Sequence, residues 1–79
     1  MGKVTLPNIV TADRYATIAQ WFYDEDEYVH IGDTLFEVMV EETTYNIVAE
    51  MTGRLQNIRF KEGDVIALTE HVADIAEDI

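Results

Sequence analysis

Cysteine and serine are both absent from the 79 residues of this chain, and each absence excludes a class of function. Without cysteine the chain has neither a disulfide framework nor a thiolate zinc site. Without serine it cannot carry a prosthetic arm as acyl carrier proteins do, because those acidic helical domains attach the arm to a serine hydroxyl. The four glycines, at positions 2, 32, 53 and 63, are too scattered to form a phosphate-binding loop.

Positive charge is also scarce in this chain. Five lysine and arginine residues stand against 16 aspartates and glutamates, which gives a formal net charge of −11. Such a surface repels phosphate backbones and anionic membranes, so we expect neither nucleic acid nor a membrane as a partner. The acidity either serves solubility alone or favours association with a basic patch on another protein.

Long apolar runs are missing as well. None approaches the roughly 20 residues that span a bilayer, and the N-terminus lacks the apolar segment of a signal peptide, so we expect a cytoplasmic protein. The apolar fraction is nevertheless 48%, which argues against disorder. A chain of this length is expected to fold as a single domain over residues 1–79.

An internal repeat organises the apolar residues. Residues 18–38 and 55–75 carry apolar side chains at corresponding positions, offset by 37 residues, and an acidic turn falls at the same place in each copy. Trp21, for example, corresponds to Ile58. The duplication predicts two similar halves related by a pseudo-twofold axis. The repeat does not explain residues 39–47 between the copies, and function is therefore sought there.

Short β-prone segments follow one another along the chain, many with apolar and polar residues in alternation. The predicted strands are residues 3–9, 16–23, 28–31, 34–40, 43–48, 55–60, 65–66 and 71–75. About eight short strands bury their apolar faces best in two small antiparallel sheets, so we predict an all-β flattened barrel or sandwich. The candidate core residues are Trp21, Phe22, Tyr23, Leu35, Val38, Ile47, Ile58, Phe60, Ile66, Val72 and Ile75.

The polar residues give little support for catalysis or metal binding. The carboxylates of residues 24–27 are predicted to form a solvated turn, with a docking patch as the alternative. His30 and His71 have no third partner that would complete a metal site, so no metal ligands are nominated. Paired carboxylates act as acid and base only in a cleft, which a small filled sandwich does not offer. We therefore expect no catalytic residues and no enzyme.

The order of several motifs resembles the biotinyl/lipoyl domain family, and its lipoyl branch in particular. Residues 16–21 (ATIAQW) and 25–33 (EDEYVHIGD) match the family pattern A-T-I-x-x-W … E-G-D-x-V-x-x-G-D, with Asp26 at the position of a glycine. Residues 4–7 (VTLP) resemble the first strand of the family, and Leu35, Glu37 and Val38 match its L-x-E-I motif. Gly53 matches a turn glycine, and residues 61–64 match the K-E-G-D motif. The resemblance covers nearly the whole chain.

This resemblance implies a carrier domain, in which a lysine at the tip of the central hairpin holds lipoate or biotin through an amide. In the family pattern that lysine lies eleven residues before the turn glycine, here Gly53, and this position is Glu42. Glu41 matches the acidic residue before the lysine, and Thr44 matches the threonine two residues beyond it. Because a carboxylate cannot form the amide, we expect no attached cofactor. The candidate site is the hairpin tip, Glu41, Glu42 and Thr43.

Two functions follow from the resemblance. The first is a lipoyl-type carrier domain, similar to those of the acyltransferases of 2-oxo acid dehydrogenase complexes, that lacks its lysine and is unmodified. The second is a non-covalent protein-interaction module that uses the acidic surface of the same scaffold. The implied partners are dehydrogenase-complex components or a lipoate ligase. The tip is then either a solvated turn or a contact surface for such a partner.

Overall fold

A computed structural model describes residues 2–7, 9 and 14–77 of the chain. Within these residues it contains β-strands and connecting turns but no helix, which confirms the all-β prediction. The strands are β1 (Gly2–Thr5), β2 (Tyr15–Trp21), β3 (Tyr28–Val29), β4 (Thr34–Val40), β5 (Thr43–Val48), β6 (Gly53–Gln56), β7 (Val65–Ala67) and β8 (His71–Glu77). Among the described residues, no helix has the length and apolarity needed to cross a bilayer.

The strands form two four-stranded antiparallel sheets that are related by a pseudo-twofold axis. One sheet has the order β1-β8-β6-β3 and the other has the order β5-β4-β2-β7. If four is added to each strand number, with β1 following β8, the order of the first sheet becomes the order of the second. The predicted sandwich of two duplicated halves is therefore confirmed, and the hairpin β4–β5 corresponds to the pair formed by β8 and β1.

Backbone hydrogen bonds repeat in the two halves at the offset of 37 residues. The N–H of Asp26 donates to the carbonyl of Leu55, and the corresponding N–H of Gly63 donates to the carbonyl of Ile18 at 2.8 Å. Each of these bonds joins the turn of one half to a strand of the other half. The two copies are therefore linked to each other by backbone hydrogen bonds.

The core lies between the two sheets and consists mainly of aliphatic side chains around Phe36. The buried apolar residues are Val4, Leu6, Ala16, Ile18, Val29, Leu35, Phe36, Val38, Val40, Ile47, Ala49, Leu55, Ile66, Val72, Ala73 and Ile75. The predicted core residues Leu35, Val38, Ile47, Ile66, Val72 and Ile75 are all in this set. Trp21, Tyr23, Ile58 and Phe60 are partly buried against it. Burial of each branched aliphatic side chain contributes about 1.5–3 kcal/mol.

Phe22 was predicted to be in the core, and this prediction is wrong because 46% of the residue is exposed. Successive side chains of an extended chain point to opposite sides. Trp21, the last residue of β2, points inward, and its ring centroid lies 4.5 Å from that of Phe36. The next side chain in the chain must therefore point outward.

The strand predicted at residues 55–60 is also wrong in its extent, because β6 spans Gly53–Gln56. Asn57 ends it with a φ of 56°, a left-handed conformation that interrupts an extended strand and that Asn tolerates better than most residues. Gly53 was predicted to lie in a turn. Instead it is the first residue of β6, where it pairs with Val29 of β3 and with Glu77 of β8.

Candidate functional site

The candidate site lies at the end of the hairpin formed by β4 and β5. The register places Val40 opposite Thr43 and Met39 opposite Thr44, so only Glu41 and Glu42 remain to form the turn. The hairpin predicted between residues 34–40 and 43–48 is therefore present with these bounds. A two-residue connection is the tightest loop commonly found between antiparallel strands, and it fixes the register of the strands that it joins.

The first residue of the turn has an unusual backbone conformation. Glu41 has a φ of 58°, in the left-handed region that tight two-residue hairpins require and that glycine, asparagine or aspartate usually occupy. The absence of an Asn-Gly pair made this turn difficult to recognise from sequence. The pairing of β4 with β5 therefore stabilises a turn conformation that glutamate does not favour by itself.

The tip is exposed, whereas its base is anchored in the core. Glu41, Glu42, Thr43 and Thr44 are all exposed, but Val40, directly before the turn, is buried. The hairpin therefore presents two adjacent carboxylates at its end. Three surface depressions among the described residues are lined by other parts of the chain. The tip lines none of these three depressions and is an exposed hairpin end.

The chemistry of this tip does not fit the prosthetic group implied by the resemblance. Lipoate and biotin are joined to their carriers through an amide that requires a side-chain amine, and Glu42 offers a carboxylate at the corresponding position. The lysines of the chain do not replace it. Lys3 lies in β1, and Lys61 lies in the turn before β7. Lys61 corresponds to Asp24 in the repeat, so it is not the symmetry mate of the tip either.

The acidic turn of residues 24–27, for which a docking role was considered, contains structural hydrogen bonds. Glu25 accepts hydrogen bonds from the backbone N–H groups of Asn57 at 2.8 Å and Ile58 at 3.0 Å. Glu27 accepts one from the N–H of Asp24 at 2.7 Å. At least two of the four carboxylates therefore stabilise the backbone, and the turn is not simply a solvated charge cluster.

The two histidines lie in different environments. His30 is exposed, and its Nδ1 lies 3.8 Å from the carboxylate of Asp33. His71 is partly buried, and its Nε2 lies 2.7 Å from an oxygen of Asp74. Among the described residues, no group of three or more His, Cys, Asp or Glu side chains could hold a metal ion.

Asp74 is a buried carboxylate that was not predicted from the sequence. It also accepts a hydrogen bond from the side-chain amide of Asn57 at 3.0 Å. This hydrogen bond from Asn57 is the main cause that lowers the pKa of Asp74. Desolvation raises the pKa, and the hydrogen bond with His71 lowers it further. The contact between His71 and Asp74 was not predicted from their spacing, because residues three apart in a regular strand point to opposite faces of the sheet. In the structure the pairing of β1 with β8 is irregular: Val4 pairs with Ala73 and Thr5 pairs with His71, so Val72 is skipped. This irregularity places the side chains of His71 and Asp74 on the same side.

Comparisons with known proteins agree with this architecture. Residues 2–75 match a family model described as "Biotin-requiring enzyme", which includes biotinyl and lipoyl domains. The solved lipoyl domain of the 2-oxoglutarate dehydrogenase complex from Azotobacter vinelandii superposes with a TM-score of 0.82 at 19% sequence identity. The superposition covers 98% of each chain, which supports the fold.

Curated relatives share the sequence pattern at greater identity. The chain is 29% identical over 77 residues to the dihydrolipoyllysine-residue succinyltransferase component of the 2-oxoglutarate dehydrogenase complex of Bacillus subtilis. It is 28% identical over 75 residues to the corresponding component of Rickettsia conorii. These matches cover 98% and 95% of this chain but only 18% and 19% of the two relatives. The chain therefore spans about a fifth of the length of these proteins.

Proposed function

Because this chain belongs to the biotinyl/lipoyl domain family, we propose that it is a lipoyl-type carrier domain whose presenting hairpin is not lipoylated. The observation that carries the proposal is the position of Glu42, which occupies an exposed two-residue turn between β4 and β5. The scaffold that would display a prosthetic arm is complete, but the residue displayed cannot hold it. We further propose that the domain functions beside the components of a 2-oxo acid dehydrogenase complex, as its relatives' names suggest.

A second candidate function is a non-covalent interaction module on the same scaffold. The charge distribution favours it, because the net charge is −11 and the four strands of the hairpin sheet contain no lysine or arginine. Opposite charge accelerates and orients the association of proteins more than it strengthens the final complex. The two candidates agree that the unmodified chain acts through contacts with other proteins. They differ in whether the tip is still recognised by enzymes that act on lipoyl domains.

The decisive experiment restores the amine. The Glu42→Lys variant and the wild-type chain are incubated with lipoate, ATP and a lipoate ligase, and their intact masses are measured. We expect a lipoyl adduct on the variant alone, because the surrounding hairpin already has the required position and exposure. Glu41→Lys is the matched control, since it places an amine one residue away on the same turn.

The possible outcomes separate the two functions. Modification of Glu42→Lys with little modification of Glu41→Lys supports a carrier scaffold that has lost its attachment residue. If neither variant reacts while both retain the β-rich circular dichroism spectrum of the wild type, the ligase does not recognise the tip and the interaction module is favoured. A lipoyl or biotinyl adduct on the wild-type chain isolated from its source would contradict the proposal of an unmodified domain.

A further inference from the structure

A surface depression of about 620 Å³ lies where the end of β2 meets the turn before β7. Residues 21 and 23–25 of one repeat copy line it together with residues 58 and 60–62, which are their counterparts at the offset of 37 residues. The depression therefore lies on the pseudo-twofold axis, and we call it the axial depression. Trp21 pairs with Phe36 near the start of β4, whereas the hairpin tip follows the end of that strand, so the two sites are separate.

One wall of the axial depression is aromatic and is held in place by contacts from both halves of the chain. Trp21, Tyr23 and Phe60 are half-buried, so part of each ring remains accessible to a ligand. The indole Nε1–H of Trp21 donates to the carbonyl of Phe60 at 3.1 Å, and the indole ring packs against Phe36. These contacts fix the orientation of the ring before a ligand binds. A preformed wall of this kind lowers the entropic cost of binding.

Carboxylates form another part of the lining, and two of them retain acceptor capacity. Both oxygens of Glu25 accept hydrogen bonds from backbone N–H groups, so this carboxylate has a structural role. Glu62 uses one oxygen, Oε2, for the backbone N–H of Trp21. Among the residues that the structure describes, no hydrogen bond reaches Oε1 of Glu62 or the carboxylate of Asp24, and no ion pair joins either group to Lys61. Asp24 and Glu62 can therefore accept hydrogen bonds from a ligand.

The lining of the axial depression favours a planar cation. The faces of aromatic rings attract positive charge, and carboxylates form their strongest hydrogen bonds with charged donors. A guanidinium group satisfies both requirements, because it stacks on a ring and presents several N–H groups in one plane. An anion would be repelled, since three carboxylates and a single lysine line the depression and the net charge of the chain is −11. For the same reason a second copy of this chain is not the expected partner.

We propose that the axial depression binds an arginine side chain that another protein presents. The guanidinium group stacks on the accessible part of the aromatic wall and donates its N–H groups to Asp24 and Glu62. Tryptophan, tyrosine and arginine are the residue types on which the binding energy of protein interfaces is concentrated. The inference goes beyond the proposed function, because the site is separate from the hairpin tip and does not depend on the residue at position 42. Of the acidic turn of residues 24–27, only Asp24 acts as a binding group.

The test titrates a short arginine peptide, acetyl-Gly-Arg-Gly-amide, into the isotope-labelled full chain and follows the backbone and indole N–H signals by NMR. The matched ligand contains citrulline in place of arginine, which has nearly the same shape but no charge. We expect saturable shifts at the indole N–H of Trp21 and at the backbone N–H groups of residues 24 and 62, with little change at residues 41–43. The citrulline peptide should bind at least about tenfold more weakly, because it loses the charge-assisted hydrogen bonds.

Matched variants separate this site from a general attraction of cations to an acidic protein. Asp24→Asn should weaken binding of the arginine peptide severalfold. Glu50→Gln, which removes the same charge from an exposed position outside the depression, should leave binding nearly unchanged. Equal binding of the arginine and citrulline peptides, equal loss in both variants, equal binding of the corresponding lysine peptide, or shifts that fail to saturate would each overturn the proposal. The result is independent of lipoylation of Glu42→Lys, so failure of one proposal is distinguishable from failure of the other.

Discussion

The carboxylate of Glu62 accepts a hydrogen bond from the backbone N–H of Trp21 at 2.9 Å, although the two residues lie 41 positions apart in opposite halves of the chain. The symmetry-related contact is made by Glu25, which accepts from the N–H of Ile58 at 3.0 Å. In each case an acidic turn of one half caps the end of a strand in the other half. The acidic turns, which read as solvated charge in the sequence, are thus part of the interface between the two copies.

We predict that Glu62→Ala lowers the free energy of unfolding by about 1 kcal/mol, because it removes one charge-assisted hydrogen bond to a backbone N–H group. Glu25→Ala should lower it by about 2 kcal/mol, because it removes two such bonds, from Asn57 and Ile58. Urea unfolding followed by Trp21 fluorescence measures the effect. Glu50→Ala, which removes a carboxylate from an exposed position outside these turns, is the control. Equal stability of all three variants would show that the two carboxylates contribute charge alone.

The two related turns should respond in opposite directions to glycine exchange. Asp26 has a φ of 69° and Gly63, its counterpart in the repeat, has a φ of 92°. A residue with a side chain is strained in this region, whereas glycine is not. We therefore expect Asp26→Gly to raise the free energy of unfolding by about 0.5 kcal/mol and Gly63→Ala to lower it by about 1 kcal/mol.

The same urea titration measures both changes, and the double variant should show nearly additive effects. If Asp26→Gly lowers stability, the side-chain contact between Asp26 and Gln56, at 3.4 Å, is more important than the relief of backbone strain.

Much of the fold could be predicted because the duplicated apolar pattern indicates two similar halves with the same arrangement of strands. The match between residues 18–38 and 55–75 corresponds to real symmetry, in which β3 relates to β7 and β4 to β8. Strand ends were less predictable. Residues 58–60 are as β-prone as those before Asn57, but β6 ends where Asn57 takes a left-handed φ and where Glu25 accepts from the N–H groups of Asn57 and Ile58. The left-handed conformation of a single residue does not change the alternation of apolar and polar residues, so it could not be predicted from that pattern.

The position of the hairpin that carries the candidate site was predictable, but other side-chain contacts were not. The bounds of the hairpin followed from strand-like residues on both sides of Glu41 and Glu42. The contact between His71 and the buried Asp74 was not predicted, because it depends on cross-strand register. A register that is irregular beside Leu35 and again beside Val72 changes which side chains share a face. Such irregularities are set by packing and were not visible in the alternation of residues.

Gly53 is predicted to be intolerant of any side chain. A Cβ at this position would overlap the backbone carbonyl of Ala76 in the neighbouring strand β8, which cannot move without disturbing the sheet. Gly53→Ala should therefore lower the free energy of unfolding by about 2–3 kcal/mol. Thermal and urea unfolding check this value. The adjacent substitution Thr52→Ala is the control, since it removes a single exposed-site hydrogen bond to the N–H of Ile31 and should cost about 1 kcal/mol or less.

The stability of the domain should depend on pH through Asp74. The hydrogen bond from Asn57 is the main cause that lowers the pKa of Asp74 below its ordinary value of 3.8 in the folded state. A carboxyl group with a lower pKa in the folded state binds fewer protons there than in the unfolded state. Its contribution is therefore fully present above pH 3.8 and is lost as the pH falls through the folded-state pKa.

Asn57→Gly tests this link, because glycine adopts the left-handed backbone of that position and removes the amide donor. We expect the variant to lose about 1 kcal/mol at neutral pH, and we expect the difference from the wild type to shrink as Asp74 becomes protonated. Urea titrations from neutral pH down to about pH 3 measure it. A difference that stays constant over this range would mean that Asn57 stabilises the fold by a route independent of the ionised carboxylate, and the assignment of the pKa shift to this hydrogen bond would be wrong.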